Sequence, residues 1–198
     1  LGMVQIDRLM AGAEYGAVEA LLSWKQRERL SGQPAEKRLE ALCAYSLLWL
    51  LLRERYGWTA LPPMERTENG KPFFSGYPQV HFSVSHTAGA AAAAVSDAPV
   101  GVDIQRIQTP PARLARLAGE KDPEAFFSSW VRWEARAKRR GTGLLVMVHR
   151  EPPMERGEVY TALEAFPGYA AGLAGNVPVR QEQIRRLTVN ELMRCLDI

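Results

Sequence analysis

The chain has 198 residues, is 46% hydrophobic and 24% charged, and so can bury a core as one large domain or two small fused ones. A formal charge of +3 suits an anionic ligand or an acidic partner but is too weak to argue for nucleic acid, and no nucleic-acid partner is expected. The two cysteines, Cys43 and Cys195, lie far apart without metal-site spacing, which excludes a disulfide framework and points to a reducing cytoplasm.

The opening stretch LGMVQIDRLM has no basic region leading into an apolar core, so no signal peptide is expected. The longest apolar run, residues 41–52, is short of the ~20 residues a membrane span needs, and no membrane partner is expected. Residues 34–56 predict a strong helix. Pro34 suits its first turn, the middle is Leu-rich, and Gly57 follows as a stop. It is apolar nearly all round, which argues for burial on most faces.

Residues 58–79 read as loop, broken by Pro62, Pro63, Pro72 and Pro78, and carry RTENGKPFF. Residues 80–86 alternate as a strand, with Val80, Phe82 and Val84 on one face and His81, Ser83 and Ser85 on the other. TAG then signals a turn. The run AAAAAVS at 90–96 is ambiguous, because alanine favours helix. Its shortness, between a turn and DAP, reads as a strand whose small side chains admit a close neighbour. Residues 99–105 are then expected as the third strand of an antiparallel set. TPPARLARLAGEKDP is a linker with a short helix. Residues 123–140 predict a second strong helix, closed by Gly141 in GTGL. Residues 144–149, GEVYTALEAF and GYAAGLAGN suit strands, and a short helix follows Thr188. The fold class is α+β: two similar halves, each a long helix packed on a small antiparallel sheet, without a visible sequence repeat.

Three places carry candidate chemistry. In VGVDIQ, Asp103 sits among Val100, Val102 and Ile104, and burying a carboxylate without a partner costs several kcal/mol. Gln105 points to the same side of that strand. On the helix at 123–140, Trp130, Glu134 and Lys138 are spaced to share one face. Asp103 and Glu134 make a carboxylate pair of the kind that holds Mg²⁺ with water and substrate phosphates, and Gln105 could add a neutral oxygen. Lys71 in NGKP, with Ser85 and His86 at a strand end, offers groups that suit a phosphate. Each has a plainer alternative: an exposed Glu–Lys pair, a salt-bridged carboxylate at a sheet edge, a solvated turn lysine, a structural histidine.

The order NGKP, VHFSVSHT, VGVDIQ, WVRWEARAK, GTGL, over roughly residues 60–144, resembles the 4'-phosphopantetheinyl transferases, and most of all the surfactin-synthetase-activating group, whose single chain holds two similar halves. FPGYAAGLAG also looks like that family's late strand. The resemblance implies Mg²⁺-dependent transfer of phosphopantetheine from coenzyme A to a serine of an apo acyl or peptidyl carrier protein, releasing adenosine 3',5'-bisphosphate. It implies that Asp103 and Glu134, with Gln105, are the metal ligands, that Glu134 is the base, and that Lys138 contacts the coenzyme A phosphates. Lys71, Ser85 and His86, helped by Arg66, then hold the adenosine end and its 3'-phosphate. Residues 1–104 become the coenzyme A side and residues 105–198 the catalytic and carrier side of a cytoplasmic monomer.

The chain departs from the family at Gln105, often acidic there; at Trp133, usually Lys; at Ser83, usually Asn; and in a shorter stretch between Asp103 and Glu134. Arg132, Arg136, Arg139 and Arg140 are candidates to meet an acidic carrier helix. A non-catalytic coenzyme A- or carrier-binding relative and an unrelated Mg²⁺ hydrolase are the rival readings.

Overall fold

The structure, a computed structural model, describes residues 1–142 and 151–198. The region anticipated as a strand at 144–149 therefore lies outside the described residues, as do Gly143 and Leu144 of GTGL. The chain opens with β1 (Gly2–Gln5), α1 (Gly12–Ala20) and α2 (Trp24–Ser31), which hydrophobic periodicity does not announce. A capping box starts α2: Ser23 accepts from the Gln26 amide, and the Gln26 side chain accepts from the Ser23 amide.

Next comes α3 (Ala35–Tyr56), capped by Gly57 at φ 68°. A minimal hairpin, β2 (Glu65–Arg66) with β3 (Pro72–Phe73), carries NGKP. Then follow β4 (His81–Thr87) and β5 (Ala90–Ser96), joined by a two-residue turn at Ala88 and Gly89. Gly89 has φ 81°, a conformation that favours glycine. The remaining elements are β6 (Gly101–Arg106), α4 (Ala112–Ala118), α5 (Pro123–Arg140), β7 (Val159–Leu163), β8 (Tyr169–Gly175), β9 (Arg185–Thr188) and α6 (Val189–Leu196). Asp122 accepts from the Ala125 amide to start α5, and Pro123 takes its first turn.

The larger sheet has the order β4-β5-β1-β9, and a three-stranded sheet has the order β6-β8-β7. This corrects two sequence expectations. The larger sheet is mixed rather than antiparallel, because β9 returns from the C-terminal end to run parallel to β1. And β6 is not the third strand of the β4–β5 set; it pairs antiparallel with β8, Asp103 opposite Gly172.

The second correction has a physical reason. The edge of β6 away from β8 would leave amides unpaired, and buried amides need acceptors. Side-chain hydroxyls of β4 supply them. Ser83 Oγ accepts from the Val102 amide at 3.0 Å, Ser85 Oγ from Ile104 at 3.4 Å, and Thr87 Oγ1 from Arg106 at 3.4 Å. The alternate-residue spacing on both strands keeps this seam in step.

The alanine run is a strand, and its composition follows from where it lies. Ala91 and Ala93 pack into the core around α3, while Ala90, Ala92 and Ala94 pack with Val102, Ile104 and Leu173 of the other sheet. Covered on both faces, β5 has no solvent side and carries methyl groups on each. Helix α5 lies across β6 and β8 at backbone distance. A Cβ on Gly101 would stand 2.0 Å from the carbonyl oxygen of Ala135. The glycine of VGVDIQ thus lets the catalytic-candidate helix approach the strand that carries Asp103.

Candidate active site

One cleft, with a volume of about 700 Å³, gathers the sequence-predicted residues. Arg66 and Lys71 come from the β2–β3 hairpin, Ser85 and His86 from β4, Asp103 and Gln105 from β6, and Glu134 and Lys138 from α5; all line it. That size is in the range of small-molecule sites. Lys25, Gln26 and Arg29 of α2 also line it, and the sequence reading misses them. The signal was present: the Ser23–Gln26 box starts a helix, and Lys25 and Arg29, four apart, share its face.

Asp103 is 0% exposed, and its partners are now specific. Its Oδ1 accepts from Lys138 Nζ at 2.6 Å and from Ser85 Oγ at 2.5 Å, and its Oδ2 accepts from Gln105 Nε2 at 3.1 Å. Ser85 therefore sits beneath Asp103 and stitches β4 to β6, rather than standing free at the strand end. Lys138 also donates to the Val102 carbonyl at 3.2 Å and lies 3.5 Å from Glu134 Oε2. Its ammonium bridges the two carboxylates. Burial alone would lower the Lys138 pKa, but the charges of Asp103 and Glu134 outweigh it and raise it.

Glu134 accepts from Trp130 Nε1 at 3.1 Å, as the shared helix face requires. Burial, and after it the charge of Asp103, pushes the Glu134 carboxyl above its ordinary range, against the pull of Lys138. So the site holds two mutually repelling carboxylates and one ammonium, a set that further positive charge would stabilise. Among the described residues, no group of three or more His, Cys, Asp or Glu side chains gathers to hold a metal. A divalent ion here would rest on Asp103 and Glu134, the carbonyl oxygen of Gln105, and oxygens of the ligand. That hard-oxygen set fits Mg²⁺, which keeps few protein ligands.

Lys71 Nζ donates to the carbonyl of Arg139, the residue after Lys138, at 2.8 Å, near the negative end of the α5 dipole. Burial, and to a lesser degree the charge of Arg139, holds the Lys71 pKa down at about 8. Arg66 turns back to the Gly70 carbonyl at 2.5 Å and shapes the NGKP turn. His86 points to the opposite side of β4 from Ser85, toward α3.

The four arginines of α5 are corrected. All four are ion-paired within the chain, and all but Arg132 have largely buried side chains, so they do not form one open basic face. Arg136, only 2% exposed, donates to Glu158 Oε1 at 2.8 Å and to the carbonyls of Pro152 and Pro153. Arg132 pairs with Glu151, Arg139 with Glu155, and Arg140 with Glu158. Trp133 belongs to the same network, giving its indole N–H to Glu151 at 3.0 Å.

The cleft is thus lined by the cations Lys25, Arg29, Arg66 and Lys71 as well as by the carboxylates of Asp103 and Glu134, a lining that suits an anionic ligand. Comparison with known proteins agrees with the resemblance read from the sequence. No family model matches the chain. It is 27% identical over 167 residues to the 4'-phosphopantetheinyl transferase psf-1 of Bacillus pumilus, covering 68% of this chain and 72% of the relative. It is 26% identical over 153 residues to the 4'-phosphopantetheinyl transferase Sfp of Bacillus subtilis strain 168, covering 64% and 68%. A third relative, a 4'-phosphopantetheinyl transferase of Bacillus subtilis, is 24% identical over 159 residues, covering 71% and 70%. The chain is thus similar to three proteins named 4'-phosphopantetheinyl transferases, the enzyme class that its motifs resemble.

Proposed function

We propose that this chain transfers the 4'-phosphopantetheine group of coenzyme A to a serine of an apo acyl or peptidyl carrier protein, with Mg²⁺, releasing adenosine 3',5'-bisphosphate. The observation that carries the reading is one cleft that is lined by the cations Lys25, Arg29, Arg66 and Lys71 and by Asp103 and Glu134, with Lys138 between the carboxylates.

In this reading Lys25, Arg29, Arg66 and Lys71 hold the adenosine bisphosphate moiety. Asp103, Glu134 and Gln105 would hold the metal, which would supply positive charge to offset that of the transferring phosphoryl group. Glu134 accepts the proton of the carrier serine, and its raised pKa suits a base. The serine oxygen bonds to phosphorus, the bond to the bridging oxygen breaks, and adenosine 3',5'-bisphosphate leaves with the electron pair. Lys138 offsets the charge that builds on it.

Residues 1–104 form the coenzyme A wall and residues 105–198 the catalytic and carrier wall, with β9 and α6 returning to the first sheet. We read these as the two similar halves of one chain that builds the whole cleft as a cytoplasmic monomer. Among the described residues, no helix is long and apolar enough to cross a membrane.

The test is to incubate the chain with coenzyme A, Mg²⁺ and an apo carrier protein, and to weigh the carrier. Gain of the phosphopantetheine mass is the expected result. A non-catalytic coenzyme A- or carrier-binding relative is the second reading, favoured by one fact: both oxygens of Asp103 already have donors. It stands if coenzyme A binds and no carrier gains mass.

Coenzyme A binding should also depend on pH through Lys71. Its pKa of about 8 lies below the ordinary lysine value, and an anion favours the ammonium. Affinity is therefore full below about pH 8 and falls as pH rises through it. Titration calorimetry should find binding roughly tenfold weaker at pH 9 than at pH 7, with Lys71→Met flattening that dependence. An equal dependence in Lys71→Met would remove Lys71 from the ligand.

A further inference from the structure

Glu40 is a buried carboxylate that the chemistry above does not use. It lies on α3 in the largely apolar stretch LEALCAYSLL and is 5% exposed. Lys37, one turn earlier, donates to both of its oxygens, at 2.9 and 3.2 Å. Oxygens that receive ammonium protons are acceptors, so Glu40 acts as a carboxylate. Nδ1 of His86, 3.0 Å from its Oε2, is then the donor in that contact.

A carboxylate behind a histidine fixes which ring nitrogen carries a proton and how the ring is turned. Nδ1 is committed to α3, which leaves Nε2 for the ligand side. His86 forms part of the cleft wall, together with the cations Lys25, Arg29, Arg66 and Lys71, and Glu40 does not. The imidazole thus has a carboxylate and Lys37 behind it and a cationic cleft before it.

We propose that Glu40 is a positioning residue: it holds His86 by its Nδ1–H so that the ring turns Nε2 toward a phosphate of the ligand. The proposal rests on the coenzyme A reading of the cleft. The test measures binding of adenosine 3',5'-bisphosphate to the full chain by titration calorimetry, for Glu40→Gln, His86→Gln and the double variant. Glu40→Gln keeps size and an acceptor and removes the charge, and circular dichroism checks each fold.

Each single variant should bind roughly tenfold more weakly, as for loss of a charged hydrogen bond. The double variant should be no weaker than His86→Gln alone, because Glu40 acts through His86. A Glu40→Gln loss that persists unchanged in the His86→Gln background, or no loss at all, overturns the proposal. Ring ¹⁵N NMR separates it from the coenzyme A reading. A proton on Nδ1 of His86 in the ligand-free chain, lost in Glu40→Ala, supports the positioning role. Its absence from the unsubstituted chain overturns that role whatever binds. If that proton is present and the bisphosphate does not bind, the coenzyme A reading fails while the positioning of His86 stands.

Discussion

On the proposed function, Glu134→Gln should leave the chain folded and cut transfer of phosphopantetheine by about 10²–10⁴-fold, the usual span for loss of a general base. The fold is spared for a reason visible in the cleft. Burial raises the pKa of Glu134, and the charge of Asp103 raises it further. A neutral amide of the same shape removes that repulsion and keeps an acceptor for the Trp130 indole N–H, 3.1 Å away. Thermal unfolding should therefore stay level or rise slightly while the mass gained by the carrier vanishes. Activity within tenfold of the unsubstituted chain would take Glu134 out of the base role.

Lys138→Met has the opposite signature and costs both stability and transfer. Asp103 is 0% exposed, and Lys138 supplies its cationic partner at 2.6 Å. Removing one member of a buried charge pair costs about 3–5 kcal/mol, mostly because the other is left uncompensated. Denaturant unfolding in a chelator, so that no divalent ion substitutes, should show a loss of that order. Asp103→Asn placed on top should recover much of it, since the stranded charge is then gone. A Lys138→Met chain within about 1 kcal/mol of the original would mean that Ser85 and Gln105 suffice for Asp103.

Where a local signal sufficed, the sequence was readable. Asp122–Pro123 and Gly141 bound α5 at both ends, and its 3.6-residue period puts Trp130, Glu134 and Lys138 in contact. The strand reading of AAAAAVS ran against alanine's helical preference and holds because two layers cover it, a fact of tertiary packing. What was illegible depended on distant partners. Nothing near VGVDIQ says that hydroxyls 19 residues upstream take its amides, so β6 was assigned to the wrong sheet. Arg136 reads as a surface cation until Glu158 closes on it, and nothing near Glu40 announces its partner His86, 46 positions away. The cleft residues of α2 were missed because a polar, eight-residue helix has little hydrophobic pattern to find.

The alanine strand has a consequence for the cleft that it does not touch. It is a shim between α3, whose Glu40 backs His86, and the sheet that carries Asp103. Its thickness is that of a methyl group on either face. The gap between His86 and the carboxylates of Asp103 and Glu134 is thereby gauged from behind. An added carbon at Ala92 or Ala93, both 0% exposed, would change the reach of the site without altering any residue in it.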